Sequence, residues 1–228
     1  MCNRLCLWTD ISAIANSFDA LGEMPEQRIE PHWNLAAGRV LPVVRYDQPR
    51  MRRILEIMRW GLIPAHAKET KVVYSNLDFG RQFLEEVGIS DAPLPWRRCL
   101  VPADCFFEWR RSDGQPFAVV LASRELMALA ALWSRWLSSK GECVDSFAIL
   151  TTGPNQLLAS ICDRMPVIVP PSFWDYWLGP DAVDARIVAQ LCRPTPSDSI
   201  STWPVDRRVN DRKLDDARLV EANRCAPS

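Results

Sequence analysis

Apolar residues along this chain fall into short blocks separated by polar turns, and the period changes from block to block. Residues 2–8 read as a short strand or extended lead-in. Thr9 or Asp10 can cap the helix that follows. Its apolar positions Ile11, Ile14, Ala15, Phe18 and Leu21 share one face, and Gly22 and Pro25 end it. Residues 41–46 and 54–63 are expected to be strands joined by a polar turn containing Pro49. A short helix over 79–87, capped by Asp78 and stopped by Gly88, comes next. Strands are expected at 99–101, 105–111 and 117–122, with Asp113 and Gly114 in the hairpin turn because glycine accepts positive φ. Residues 126–137 are dense in apolar side chains and fit either a buried strand or a helix. Residues 147–152 read as a strand, followed by Gly153, Pro154 and a short helical segment to Ile161. A strand at 167–169 precedes a helix capped by Ser172 and carrying Phe173, Tyr176 and Trp177, and 181–191 is the last helix.

Strands and helices are thus interspersed without a regular βα repeat, and no glycine-rich phosphate loop or internal repeat occurs. The pattern predicts an α+β fold, a single compact domain built on antiparallel or mixed sheets. Residues 1–209 form that domain. Residues 210–228 form a polar, Arg- and Asp-rich tail that either wraps the surface or ends partly mobile.

Composition narrows the class. The 228 residues are 48% hydrophobic, which is globular rather than disordered. No apolar run approaches the roughly 20 residues of a membrane span, and no basic segment leads into a long apolar stretch at the start. A soluble intracellular protein is expected, and its eight cysteines are then free thiols rather than a disulfide scaffold. There is no CxxC pair, and His32 and His66 stand far apart, so no metal site is expected, although cysteines from distant segments could still meet. The formal charge of -1 gives no general attraction to nucleic acid. Arginines do cluster, at 45, 50, 52 and 53, at 97 and 98, at 110 and 111, and at 207 and 208. Only their convergence on one face would make a phosphate-binding groove.

The start of the chain carries the most specific chemistry. Cys2 is small enough to allow removal of Met1, which exposes an α-amine with a pKa near 8 beside a thiol near 8.5. An aldehyde condenses with the amine to an imine, and the thiol closes a five-membered thiazolidine on the same carbon. An internal cysteine cannot do this, because its nitrogen is tied up in an amide. The plain alternative is a buried, inert thiol.

Several separated segments carry a family resemblance. They are Met58-Arg59-Trp60-Gly61-Leu62-Ile63-Pro64, Arg98-Cys99-Leu100-Val101-Pro102-Ala103-Asp104 with Phe107-Glu108-Trp109, Ile149-Leu150-Thr151-Thr152 with Asn155, and Asp163-Arg164-Met165-Pro166-Val167-Ile168. In this order they resemble the SOS-response-associated peptidase family, the abasic-site-processing proteins of bacteria and eukaryotes, from Cys2 through about Val209. The resemblance implies antiparallel and mixed sheets forming a barrel-like core with peripheral helices. It also implies a thiazolidine cross-link to abasic sites in single-stranded DNA, self-processing of Met1, and peptidase and lyase activities. By the same carry-over, Cys2 is the covalent residue, Asn76 positions its amine or the sugar, and Glu108 is the acid/base. Cys162 occupies the position of the family's catalytic histidine.

Glu108 can open the abasic sugar ring if burial among Phe106, Phe107 and Trp109 raises its pKa; the alternative is a salt bridge to Arg110 or Arg111. A thiol at position 162 is a poorer proton shuttle than imidazole. The family's Cys-Gly-Arg start is Cys2-Asn3-Arg4 here, and its Asn-Ala-Arg segment is Asn76-Leu77-Asp78, which lacks the arginine and adds a carboxylate that repels phosphate. In the segment 31–37, the family's proline after Ala36 is missing. Trp33 and Trp60 are candidates for base stacking, worth about 1–3 kcal/mol per base, or for core packing. Arg4 and Arg164 are the candidate phosphate ligands, with internal pairing as the alternative for Arg4.

The function expected is covalent shielding of abasic sites in single-stranded DNA by a monomer without a cofactor, in the bacterial cytoplasm and at the nucleoid when damaged DNA is bound. A catalytically weakened single-stranded-DNA binder and an N-terminal cysteine peptidase or amidase are the alternatives.

Overall fold

A computed structural model describes residues 3–20, 30–70, 73–78, 97–179 and 190–223. The helices expected at 79–87 and 181–191 lie outside these residues, apart from 190 and 191. Strands dominate: β1 (Arg4–Leu7), β2 (His32–Ala36), β3 (Val40–Asp47), β4 (Arg52–Trp60), β5 (Asn76–Asp78), β6 (Arg98–Ala103), β7 (Cys105–Trp109), β8 (Pro116–Leu121), β9 (Met127–Leu137), β10 (Cys143–Thr152), β11 (Met165–Pro166) and β12 (Ile200–Pro204).

The strands β4, β3, β6, β9 and β10 close on themselves. Antiparallel pairs run around most of this ring, and a short parallel contact (Ser146 to Arg59, Phe147 to Trp60) joins β10 back to β4. The result is a five-stranded barrel, which leaves no edge unpaired along the ring. β11 and β5 extend it by pairing with β10. The second sheet, in the order β12-β8-β7-β1-β2, packs its antiparallel strands beside the barrel. The α+β architecture with a barrel core and peripheral helices is therefore as expected.

Burial explains which parts of the pattern were ambiguous. All six residues of β6 are buried, as are the first six of β9, so these strands show no in-out alternation. That is why 126–137 could be read either way; it is a strand, and only its outer half alternates. Where a strand is expected at 167–169, the strand present is β11, Met165–Pro166, which ends just before it, and Ile168 makes only a bridge to Leu129. The segment after Pro154 is a series of turns rather than a helix.

The helix Ile11–Ser17 is capped by Asp10, whose carboxylate accepts from the amides of Ser12 and Ala13. It ends before Leu21 because Asp19 takes a left-handed φ of 50°. Ser172 is not a cap: Pro170 and Pro171 fix the entry, and a 3-10 turn (Pro171–Phe173) runs straight into the helix Trp174–Leu178. Trp174 stacks on Phe18 with ring centroids 4.2 Å apart, so the two short helices seal one end of the core. None of the described helices is long and apolar enough to cross a membrane.

The polar segment 206–223 wraps the outer face of the second sheet. Val205, Val209 and Leu219 form a second apolar cluster with Cys6, Cys105, Phe107, Ala118 and Val120. Within the charged stretch, Val209 and Leu219 dock it, with Leu214 and Val220 packed against the same cluster, and no regular period announces them.

Candidate functional site

Four backbone elements bring the expected catalytic residues toward one region. β5 is a three-residue strand held parallel to β10, with Asn76 opposite Ile149. Just before it, the Ser75 carbonyl accepts from the Trp60 indole at 2.8 Å and from the Ile149 amide at 3.1 Å, which anchors β5 to the barrel. The Asn76 side-chain amide donates to Asn3 Oδ1 at 2.8 Å, so the residue that follows Cys2 sits beside Asn76. Cys2 itself lies outside the described residues. Asn76 Oδ1 is buried and has no hydrogen-bond partner among the described residues, an acceptor left open at the site.

Glu108 sits on β7 opposite Phe117. Strand alternation puts its neighbour Phe107 into the outer apolar cluster, so the Glu108 carboxyl points to the other face, toward the main core with Phe106. The residue is 1% exposed. Burial raises its carboxyl to about 7, against the lowering influence of the chain's amino-terminal charge. Near neutral pH this carboxyl is poised between acid and base. The neighbouring arginines pair elsewhere, Arg110 with Asp113 and Arg111 with Asp163.

Cys162 follows a tight turn. Asn155 Oδ1 accepts from the Leu158 amide, its side-chain amide ties the turn to Thr195 O, and the Cys162 amide bonds Leu158 O at 2.9 Å. The Arg111 amide reaches Ile161 O at 3.3 Å, which joins this turn to the end of β7. Burial first, and then the charge of Glu108, push the thiol up to about 12. Cys162 is therefore a neutral thiol near pH 7, within electrostatic range of the Glu108 carboxyl, and its Sγ lies 3.8 Å from Leu158 O.

Arg164, two residues on, is part-buried. Its Nη2 donates to Thr151 O at 2.6 Å and to the Asp78 carboxylate, while its Nε is buried without a partner among the described residues. Asp78, expected as a helix cap, is the last residue of β5 and the ion partner of Arg164.

The other expected DNA contacts fare differently. Trp60 is fully buried with its indole bonded to Ser75 O, so it presents no face to a base; the barrel needs a large apolar group there, stacked parallel to Phe147. Arg4 is also turned inward. Its Nη1 donates to Asn34 Oδ1 at 2.6 Å and to Val209 O at 2.7 Å, and its Nη2 to Asn210 O, so it holds the wrapped segment instead of facing solvent. Trp33 is half-buried at the edge of the second sheet. The arginine clusters resolve into local contacts. Arg45 pairs with Glu56, Arg50 with Asp47, Arg53 with Asp175 and Arg208 with Asp206, while Arg98 and Arg207 bond backbone carbonyls.

Sequence reasoning assigned no role to Asn3 or Asn34. Asn34 binds Val209 O, Asp211 O and Leu214 O through its amide, and the carboxylate of Asp215 accepts from the amides of Trp33 and Asn34 and bonds His32 at 2.6 Å. Asn34 was visible inside a matching segment, but nothing in the sequence points it at a strap 175 residues away. Among the described residues, no group of three His, Cys, Asp or Glu side chains is arranged to hold a metal ion.

A family model for "SOS response associated peptidase (SRAP)" matches residues 1–212. The abasic site processing protein YoqW of Bacillus subtilis is 32% identical over 226 residues, covering 98% of this chain and all of that protein. YoaM of the same organism, with the same description, is 32% identical over 225 residues, covering 97% and 98% of the two chains. The mouse abasic site processing protein HMCES is 28% identical over 200 residues, covering 73% of this chain and 56% of that protein. A crystal structure of a Bacteroides thetaiotaomicron protein superposes with a TM-score of 0.84 at 20% identity, over 97% of this chain and all of the other.

Proposed function

The chain belongs to the SOS response associated peptidase (SRAP) family, and from that premise we propose that it processes abasic sites in single-stranded DNA by covalent attachment through Cys2. Loss of Met1 by self-processing frees the Cys2 amine. The amine attacks the aldehyde carbon of the ring-opened sugar, and the carbinolamine loses water to give an imine. The thiol sulfur then adds to the imine carbon, its proton passes to the nitrogen, and a thiazolidine closes.

Glu108 is the proton donor for ring opening and for loss of water, and its raised pKa leaves a large protonated fraction near pH 7. Asn76, bonded to Asn3, orients the start of the chain. Cys162, within electrostatic range of Glu108, is a neutral side chain that tolerates the reaction without shuttling protons. Arg164 is the phosphate ligand and Trp33, half-buried on the edge strand β2, the aromatic group for base stacking. Arg4 holds the wrapped segment and Trp60 supports β5, so both act from behind the DNA surface. The observation that carries this reading is the Glu108 carboxyl, 1% exposed on the core side of β7 and raised by that burial to about 7.

Intact mass spectrometry with an abasic oligonucleotide tests it. Wild type should gain one oligonucleotide mass less one water, stable to denaturation without reductant. Cys2→Ser should give an adduct only when borohydride traps the imine. An equally stable, untreated adduct with Cys2→Ser would exclude closure at Cys2.

A second reading, a weakened single-stranded-DNA binder that forms no lasting bond, draws on the neutral Cys162 thiol and the pairing of the arginines. Absence of any wild-type adduct under conditions that label another family member would select it.

A further inference from the structure

Arg164 is held at two sides by bonds of different permanence. On one side its Nη2 donates to Thr151 O at 2.6 Å, and Thr151 lies in β10, the strand that closes the barrel. That carbonyl cannot leave without opening the sheet. On the other side the same nitrogen donates to the Asp78 carboxylate at the end of β5. The Asp78 side chain is 48% exposed, against 23% for Arg164. An exposed ion pair of this kind contributes little to stability and exchanges readily with other anions.

The position of the pair gives this contact its meaning. Asp78 is two residues from Asn76 along β5, in register with Thr151 on β10, and Arg164 is two residues from Cys162. Among the described residues around this site, Arg111 is paired with Asp163, so the nearby cation is also matched by a carboxylate. A carboxylate and a phosphodiester oxygen offer a guanidinium the same kind of charge-assisted bond.

We propose that Asp78 is a specificity-determining residue, an internal competitor that occupies Arg164 where the backbone phosphate of single-stranded DNA would bind. Intact DNA must displace the carboxylate and then sit beside its uncompensated charge, so it is held weakly and released. DNA that carries an aldehyde is retained by the covalent bond instead. Selection for the lesion thus comes from keeping the non-covalent grip low. The inference rests on the single-stranded-DNA reading given above.

The test measures binding of an undamaged, fluorescently labelled single-stranded oligonucleotide by anisotropy across a series of salt concentrations. Wild type, Asp78→Asn, Arg164→Gln and the double variant are compared, after thermal melts establish that each is folded. Asp78→Asn keeps the size and the acceptor oxygen and removes only the charge. It should bind roughly 2- to 5-fold more tightly at low salt, the range set by release of one exposed ion pair. Its log K against log salt should steepen by about 0.7, the signature of one more phosphate neutralised on a single strand. In the Arg164→Gln background the same substitution should give no gain in affinity or slope. Equal or weaker binding by Asp78→Asn overturns the proposal, and so does a gain that persists without Arg164, which would mark a general charge effect. Adduct formation with an abasic oligonucleotide, measured in parallel, separates the two levels. Normal adduct with no Asp78 effect removes this inference alone. If none of the four proteins binds or cross-links DNA, the DNA reading fails and this inference with it.

Discussion

The surroundings of Arg4 and those of Arg164 use the same side chain in opposite ways. Around Arg4 the polar groups satisfy one another: the guanidinium and Asn34 together bond the carbonyls of Val209, Asn210, Asp211 and Leu214, and Asp215 receives the backbone amides of β2. Around Arg164 the polar groups are left partly open. Asn76 Oδ1 and Arg164 Nε lack partners among the described residues, and Glu108 carries a carboxyl forced up to about 7 by burial. Saturated hydrogen bonding makes the first region structural. In the second, an unsatisfied acceptor, an unsatisfied donor and a perturbed acid are retained at a cost to stability, a cost that chemistry can explain and packing cannot.

The contrast can be broken most forcefully at Arg4. Arg4→Ala orphans buried carbonyls and Asn34 Oδ1 at once, and should lower unfolding free energy by roughly 3–5 kcal/mol in denaturant titration. Arg164→Ala removes one bond to the Thr151 carbonyl and an ion pair with the half-exposed Asp78, and should cost less, about 1–2 kcal/mol. Similar losses for both would erase the distinction between the two regions.

Glu108 should behave in the reverse sense. Its folded pKa lies above its ordinary value of 4.5, at about 7, so the folded protein holds this proton more tightly than the unfolded chain. The stability it contributes is complete below about pH 4.5 and is lost as pH rises through about 7. Glu108→Gln stays neutral throughout. It should therefore be more stable than wild type by on the order of 3 kcal/mol at pH 8, with the gap closing toward pH 4.5. Thermal melts across that range check this, and a pH-independent gap would mean that the carboxyl is not perturbed. The same variant should lose adduct formation, which makes stability and activity move in opposite directions.

The smallest expected effect is kinetic. Cys162→Ala should leave the adduct rate unchanged, because a thiol raised to about 12 exchanges no proton near neutrality. Cys162→His restores a group with a pKa near 6.5 and should speed imine formation about 10-fold at pH 7.5, the gain fading as pH falls through its titration. A slower alanine variant would make the native thiol a participant.

Much of the fold was legible because hydrophobic blocks and turn residues act locally. The Asp10 cap, the Asp113 and Gly114 turn with φ of 68° at the glycine, and the strands around 41–46, 54–63 and 117–122 all follow from neighbouring residues. Strands β2 and β12 went unnoticed, since each is short and only partly buried. The orientation of the arginines was not legible at all. Arg4 and Arg164 both looked like phosphate ligands because a guanidinium's partner is decided by whatever the fold brings within 3 Å.

What the sequence by itself determined is therefore the chemistry on offer: a cysteine able to bear a free amine, a glutamate between aromatic residues, an asparagine and a thiol in ordered motifs, and an aspartate where a basic residue was expected. Only the tertiary structure decided how that chemistry is arranged. It buried Glu108 on the core side of β7, turned Arg4 toward a strap 205 residues further along the chain, and set Asp78 against Arg164 across the end of β10. Residue type fixes which bonds a side chain can make, but burial and partner choice depend on contacts between distant segments, which no local pattern encodes.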